Sequence, residues 1–397
     1  MSQVLFSPDA LTERLETLVP ELTEARHDIH KHPELGFEET RTQAKIKAWL
    51  EPLGYEPCVS AETGLVADVR PDLGAPTLAL RADIDCLPMH EHTDLPYRSV
   101  HDGKAHKCGH DGHTAVMLGV AKLLAEKRDA LTGNVRLIFQ PAEEGVRGGG
   151  AKVMVAEGVL EGVKEVYALH NWPGYSHGEV RVRAGTMMAA TAEFEVVVTG
   201  VGGHGSQPQH CRDPIVAAAG IVSALQTVVS RGVSSEGGAV VSVCQFHGGT
   251  ANNVIPDQVR LSGTIRTFDP AITELVFERV NDVVQGSAST FGVKAELTIH
   301  RGYPVLVNDA TCAEAVERVA RGLIDESLVK SDELPMAGGE DFAYMAQAIP
   351  GAYFFVGTGN ADLTSPVCHH PDFDFADSII PLAVRMFMGL VDDRLGG

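Results

Sequence analysis

The sequence predicts an α/β fold, a mainly parallel sheet covered by helices, interrupted by a smaller α+β domain. Two observations carry this prediction. In the first part of the chain, and again after about residue 303, short apolar runs alternate with stretches of helical spacing. That is the pattern of a parallel sheet covered on both faces. Between those parts, from near residue 187, the order becomes strand, helix, strand, strand, helix, strand. A chain of 397 residues is long enough for both.

Taken in order, Leu11, Leu15, Leu18 and Leu22 recur at helical spacing within residues 8–29, and 40–53 reads as a second helix. Apolar runs at 63–69, 77–81, 134–139 and 165–169 read as strands. A helix at 111–127 carries Val116, Val120, Leu123 and Leu124 on one face. In the insert, 193–200 alternates like a half-exposed strand, and 213–231 is a helix with an Asp213-Pro214 start. Strands at 238–246 and 257–268, a helix opening at Pro270 and a strand at 293–301 complete the split βαβ order of ferredoxin-like domains. Residues 1–186 and 303–397 are thus expected to form one discontinuous domain around an insert at 187–302. The α/β pattern resumes with a helix at 309–325, a strand at 353–357 and a last helix from Ser378.

Acidic residues outnumber basic ones by 53 to 32, a formal net charge of −21. This is the wrong sign for gripping a phosphate backbone, so nucleic-acid binding is not expected. With 44% hydrophobic and 21% charged residues, the chain belongs with globular proteins rather than disordered ones. No uninterrupted apolar run approaches the ~20 residues of a membrane helix. The opening MSQVLFSPDALTERLETLVPELTEAR lacks the basic start and apolar core of a signal peptide. Seven scattered cysteines, odd in number, fit a reducing cytoplasm better than a disulfide framework. The 17 histidines, many in short clusters, are the anomaly.

Those clusters fall just past the carboxyl ends of the predicted strands, where open α/β sheets build their sites. Asp83 and Asp85 follow one strand, Glu143 and Glu144 another, and His170 a third. KCGHDGHT brings Cys108, His110, Asp111 and His113 in a loop that opens a helix, and CHHPDFDF adds His369 and His370. A lone Cys-x-His is common noise, and paired glutamates are usually solvated surface charge. Here Glu143 and Glu144 follow an apolar strand directly and are flanked by Pro141 and Gly145. Adjacent like charges in a crevice need cations. A thiolate with imidazoles and carboxylates selects zinc, manganese, cobalt or a similar ion rather than calcium or magnesium. Two such ions ~3.5–4 Å apart can ionise a water near neutral pH and aim it at a carbonyl. One carboxylate must stay off the metal to carry the proton, so of Glu143 and Glu144 one can be ligand and the other base. The expected chemistry is metal-assisted amide hydrolysis. In the insert, His204 sits in a glycine-rich loop, Asn252 and Asn253 in another, and Arg266 on a strand. Each reads blandly as solvated surface. In a site, Arg266 could fork onto a substrate carboxylate and His204 could stabilise an oxyanion.

The motifs RADIDCLPMHE, KCGHDGHT, FQPAEEG, ALHNWP, GVGGHGSQP, GTANNVIPDQVRLSGTIRTF, GGEDFAYMAQAIPGAYFFVGTG and CHHPDFDF, with HDIHKHPELGFEE before them, occur in this order. Together they resemble the amidohydrolase subfamily of the M20 peptidase family. Its members include hippurate hydrolases, N-acyl-amino-acid amidohydrolases (aminoacylases) and plant auxin-conjugate hydrolases. The resemblance implies a dinuclear metallohydrolase domain with the insert as a lid and dimerisation domain. It implies two divalent ions per subunit, zinc or manganese, with cobalt and nickel also suited. Cys108, His110, Glu144, His170 and His369 would be the ligands, and Glu143 the general base and acid. Asp85 would orient a metal-site imidazole. His204 would polarise the scissile carbonyl, in relatives often across a homodimer. Asn253, Arg266, Gly338 and Gly339 would surround a free substrate carboxylate.

Three departures stand out. Val146 and Arg147 replace a more glycine-rich stretch, GGED replaces Gly-Ser-Glu-Asp, and His370 competes with His369, which the His-x-Pro spacing favours. The implied reaction cleaves an N-acyl amino acid into a carboxylic acid and a free amino acid. A dipeptidase or carboxypeptidase with the same machinery is the nearest rival. A non-catalytic amino-acid-binding protein would have lost the base or a ligand, and neither loss is present. GVRGGG and GVGGHG are not the G-x-G-x-x-G turn of a dinucleotide site.

Overall fold

The structure, a computed structural model, describes residues 4–74, 76–145, 148–360 and 365–395. Val146 and Arg147 lie outside the described residues. The chain divides into two compact units. The first comprises residues up to Met187, Val307–Leu334 and Asp341 onward, and the second comprises Met188–Leu306 with Pro335–Glu340.

In the first unit, eight strands form one sheet in the order Cys58–Ser60, Gly64–Asp68, Asn134–Gln140, Pro76–Asp83, Glu165–Ser176, Gly351–Gly359, Val180–Arg181 and Val329–Lys330. Its centre is parallel, since Pro76–Asp83 pairs in parallel with Asn134–Gln140 and Glu165–Ser176, and the latter with Gly351–Gly359. Antiparallel pairs flank that centre. The central strands are apolar on both faces, as burial between two helical layers requires: Leu78, Leu80, Leu137, Phe139, Val166 and Phe354 are fully buried. The helix His110–Glu126 is buried almost throughout and packs against Pro8–Lys31 and Ile380–Leu395.

Local differences from the predicted elements have simple causes. The second helix is α-helical over Thr40–Leu50 and ends in a 3-10 turn at Glu51–Leu53, where Pro52 cannot donate. The strand predicted at 165–169 continues to Ser176 because Gly351–Gly359 accompanies it. Short elements such as Gly150–Ala156 and Val180–Arg181 carry too few residues for a periodic signal.

The second unit is an antiparallel sheet in the order Ala239–Gly248, Gln258–Thr267, Ala190–Thr199 and Lys294–Arg301. Helices Pro214–Gly232 and Pro270–Phe291 share a core with it, including Phe194, Val196, Ile221, Leu225, Leu261, Val276 and Val280. Both helices open alike. Asp213 and Asp269 accept backbone N–H groups of the first turn, and Pro214 and Pro270 supply a residue with no N–H to satisfy. Pro214–Gly232 has the length and apolarity of a membrane span by composition alone, yet Ala217, Ala218, Ile221, Leu225 and Val228 are buried within this unit.

The predicted boundary at 187–302 differs from the observed one. Residues 335–340, expected in the discontinuous domain, join the second unit because the Ala189 N–H is shared by the Met336 and Gly338 carbonyls at 3.0 and 3.1 Å. Gly339 packs so close to Thr191 that a Cβ would lie 2.4 Å from its methyl carbon.

Next to the loop that opens helix His110–Glu126, the first unit buries an ionic cluster. Arg26 reaches Asp111 at 3.1 Å, Asp374 at 3.0 Å and Asp377 at 2.6 Å. His30 bridges Asp111 at 2.8 Å and Glu91 at 3.1 Å. Burial opposes the His30 imidazolium, but Asp111 and Glu91 outweigh it and raise its pKa from 6.5 to about 9. Because the folded value is the higher one, the stabilisation is present in full below about pH 6.5 and is lost as pH rises through about 9. In denaturant unfolding of metal-free protein, the stability advantage of wild type over His30→Gln should shrink across that window, by about 3 kcal/mol at most. An advantage that stays constant with pH would contradict this origin.

Candidate metal centre

The site residues of the first unit gather where the central strands lose their neighbours. Pairing of Pro76–Asp83 with Glu165–Ser176 ends at Arg81 opposite Ala168, so His170 lies just beyond it. Asp83 closes its strand, and Asp85 follows two residues on. Asn134–Gln140 runs into Pro141 and then Ala142 at φ +54, a left-handed conformation that swings the chain into Glu143 and Glu144. Glu39 fixes this turn. One of its oxygens accepts the Ala142 N–H at 2.9 Å and the other the Thr63 hydroxyl at 2.5 Å. Burial raises the Glu39 carboxyl to about 7. On the facing loop, Gly109 at φ +103 caps helix His110–Glu126, and a Cβ there would sit 2.0 Å from Asn171 Oδ1. Only glycine fits between Cys108 and His110.

Five donors converge. Cys108 Sγ lies 3.3 Å from His170 Nε2, and Glu144 Oε1 lies 3.3 Å from His369 Nε2 and 4.0 Å from His110 Nε2. Three groups each place their donor atoms within 4.8 Å of one another: Cys108, His110 and His170; Cys108, Glu144 and His369; and His110, Glu143 and Glu144. Cys108, His110 and Glu144 recur between groups, as expected where two ions are neighbours. His110 Nε2 and Glu144 Oε1 are buried without a hydrogen-bond partner among the described residues. Orphaned buried polar atoms are costly, and a cation that displaces any proton from the imidazole satisfies both. The residues therefore fit a pair of divalent ions. Asp85 orients two of these donors: Oδ1 contacts His110 Nδ1 at 3.1 Å and Oδ2 accepts the Glu144 N–H at 2.9 Å. With Nδ1 so engaged, the His110 lone pair is left at Nε2.

The electrostatics agree. Burial opposes the His110 imidazolium, yet Asp83, Asp85 and Glu144 hold its pKa well above the ordinary value. Burial pushes His170 well below it, with its neighbour His113 acting in the same direction, so His170 is a neutral imidazole. The Cys368 contact, burial and the two glutamates push the Cys108 thiol far up. A site so negative that protons crowd onto His110 and Cys108 is one that divalent cations relieve.

His369 rather than His370 joins the donors. His370 Nδ1 instead accepts the Asp372 N–H at 3.1 Å. His113 is not available either, since Asp83 Oδ1 holds its Nδ1 at 2.6 Å and the Asn171 N–H reaches its Nε2 at 3.2 Å. His204, Asn253, Arg266, Gly338 and Gly339 all belong to the second unit. There His204 pairs with Val254, and the Asn253 carbonyl accepts the Gly205 N–H at 2.8 Å, so the His204 and Asn253 loops adjoin. Half-buried Arg266 bonds Thr264 and the Ile265 carbonyl, and burial lowers its pKa. Sequence reasoning missed Glu39, although it lies in HPELGFEE, and missed the role of Asn171 beside His170. It also missed the buried chain in which Arg81 links Asp83 to Asp341 at 2.7 and 3.0 Å.

Comparisons with known proteins point to a family of metal-binding hydrolases. Peptidase family M20/M25/M40 matches residues 79–393. An N-acetylcysteine deacetylase of Bacillus subtilis is 41% identical over 93% of this chain and 95% of its own. An IAA-amino acid hydrolase of Arabidopsis thaliana is 39% identical over 91% and 82%. Among solved structures, a dinuclear metal-binding peptidase of this family from Bacillus subtilis superposes with a TM-score of 0.82 at 36% identity, covering 96% of this chain and 99% of that one. The fold and the donor set define a metal-dependent hydrolase of amide bonds. The chain belongs to peptidase family M20/M25/M40.

Because Asp85 holds one donor by its ring and another by its backbone, Asp85→Ala should weaken metal binding about 10- to 100-fold. Titration against a competing chelator measures this, and unchanged affinity would remove Asp85 from that role.

Proposed function

We propose that this hydrolase cleaves the amide bond of N-acyl amino acids of the N-acetyl or N-benzoyl, hippurate-like kind, releasing a carboxylic acid and a free amino acid. The observation that carries the reading is the pairing of Glu143 with Glu144. Glu144 lies toward His110 and His369, and its buried neighbour Glu143 stands in the same donor group, where its carboxylate can handle protons. The similarity to a deacetylase of N-acetylcysteine and to a hydrolase of an auxin–amino acid conjugate supports the acyl–amino acid class. Zinc or manganese suits the donors best, with cobalt and nickel as substitutes.

In this mechanism, Cys108, His110, Glu144, His170 and His369 are the ligands. Two divalent ions, when bound, polarise the acyl carbonyl and acidify water. The Glu143 carboxylate takes the proton from the attacking water and returns it to the leaving nitrogen. His204 Nδ1 accepts the Ser206 N–H at 3.1 Å, which leaves the neutral ring's proton on Nε2. That N–H is a donor suited to the oxyanion that develops on the acyl oxygen. Arg266, Asn253, Gly338 and Gly339 bind the substrate carboxylate, Arg266 as a charged fork.

Glu143→Gln should abolish turnover while leaving metal content at the wild-type level. The assay is release of free amine from a panel of N-acetyl and N-benzoyl amino acids, with free dipeptides as comparison. Near-normal rates in the variant, or preference for dipeptides, would overturn the assignment.

The second unit is proposed to close over substrate as a lid and to mediate a homodimer. Its edge strand Ala239–Gly248 exposes Val240 and Phe246, and helix Pro214–Gly232 exposes Ile215 and Val216. Unpaired edges and apolar patches of this kind are surfaces that a second copy can cover. Phe246→Glu should convert dimer to monomer in sedimentation, and a dimer that persists would place the interface elsewhere. The seven free cysteines support a reducing compartment, the cytoplasm.

A further inference from the structure

Lys107 immediately precedes Cys108 and is fully buried. A lysine is rarely found in such a place, because burying its amine is unfavourable unless it is paired and hydrogen-bonded. Two partners are at hand. Nζ donates to Glu91 Oε1 and to the Phe373 carbonyl, both at 2.7 Å. The backbone of the same residue does a third job, for the Lys107 carbonyl accepts the His369 N–H at 2.7 Å. Lys107 thus grips the segment 369–373 at both ends, by its main chain at His369 and by its side chain four residues later. Between the grips, the His370 carbonyl accepts the Phe373 N–H at 2.9 Å, and the Pro371 carbonyl accepts the His92 N–H at 3.1 Å.

The segment needs holding. His369 sits at φ +68, a left-handed conformation that a non-glycine residue keeps only when its surroundings impose it. Its side chain is also half exposed, so burial does not fix the ring. Glu91 is itself braced, by the His30 ring at 3.1 Å and the Ser99 N–H at 2.8 Å. The anchor for the His369 turn therefore lies in the buried ionic cluster, not at the surface.

We infer that Lys107 is a positioning residue for His369, its Nζ bond to the Phe373 carbonyl setting the turn that brings the imidazole to Glu144 and Cys108. This rests on the reading of Cys108, Glu144 and His369 as one ion's donors. It assigns Lys107 a selective effect on that ion, while the ion held through His170 is untouched.

The test removes the amine and keeps the stem, in Lys107→Met. The double variant Lys107→Met/Glu91→Gln avoids an unpaired buried carboxylate. Zinc is titrated into metal-free protein against a competing chelator, alongside His369→Ala and a thermal melt of each metal-free variant. The expected result is one of two zinc ions bound at least tenfold more weakly in the Lys107 variants and in His369→Ala. The second ion stays at its wild-type affinity, and each metal-free variant still melts in one cooperative transition. If His369→Ala loses one ion but both Lys107 variants bind two at wild-type affinity, the inference is overturned and the donor reading stands. Equal weakening of both ions with a lowered metal-free melting temperature also overturns it. If His369→Ala binds both ions normally, the donor reading itself falls and the inference with it.

Discussion

Asp85 closes two loops against each other with a single carboxylate, one oxygen on the His110 ring and the other on the Glu144 backbone. Much of the first unit serves that closure. The parallel strands bring Asp85 and the Glu143–Glu144 turn to the same sheet edge, and Glu39 holds the turn through Ala142. Gly109 lets the Cys108 loop come close enough to Asn171 for the thiol to meet His170. Take away the central strand order and these groups would have no reason to converge.

The arrangement gathers negative charge in a dry place. Asp83, Asp85 and Glu143 are buried together, and such carboxylates repel one another unless cations stand among them. Part of the balance comes from within the chain. Arg81 pairs with Asp83 and Asp341, and Arg26 with Asp111. What those side chains leave uncompensated is concentrated at His110, Glu144 and Cys108, where fixed arginines give way to donors suited to metal. Arginines held in helix Pro8–Lys31 and strand Pro76–Asp83 thus neutralise one part of this charge, and the rest falls to the donor set.

Much of this was legible in the sequence because the site's residues come in short runs that follow apolar strands. Cys108-x-His110 and Glu143-Glu144 announce themselves by adjacency, and the insert by its change of strand order. Less legible were contacts made across long sequence distances. Nothing in GGED says that 335–340 pairs with Ala189, because backbone hydrogen bonds carry no residue signature. Nothing in KCGHDGHT says that Lys107 is buried with its amine on the Phe373 carbonyl. The choice of His369 over His370 needed the left-handed turn, which spacing alone suggested and geometry explains. Strand direction at the flanks of the sheet, antiparallel rather than parallel, also escaped the pattern, since alternation does not encode it.

The place of Gly351–Gly359 inside the large sheet has a consequence for how the chain is assembled. Its register sets Gly351 opposite Val166, a pairing 185 residues apart. Closing so long a loop is entropically expensive and slow compared with local contacts. The intervening unit, in contrast, is complete by Glu340. During synthesis it can fold while the first unit still waits for a central strand and for His369. The last donor to leave the ribosome completes the site, so a nascent chain lacks its full donor set until the sheet around it can close.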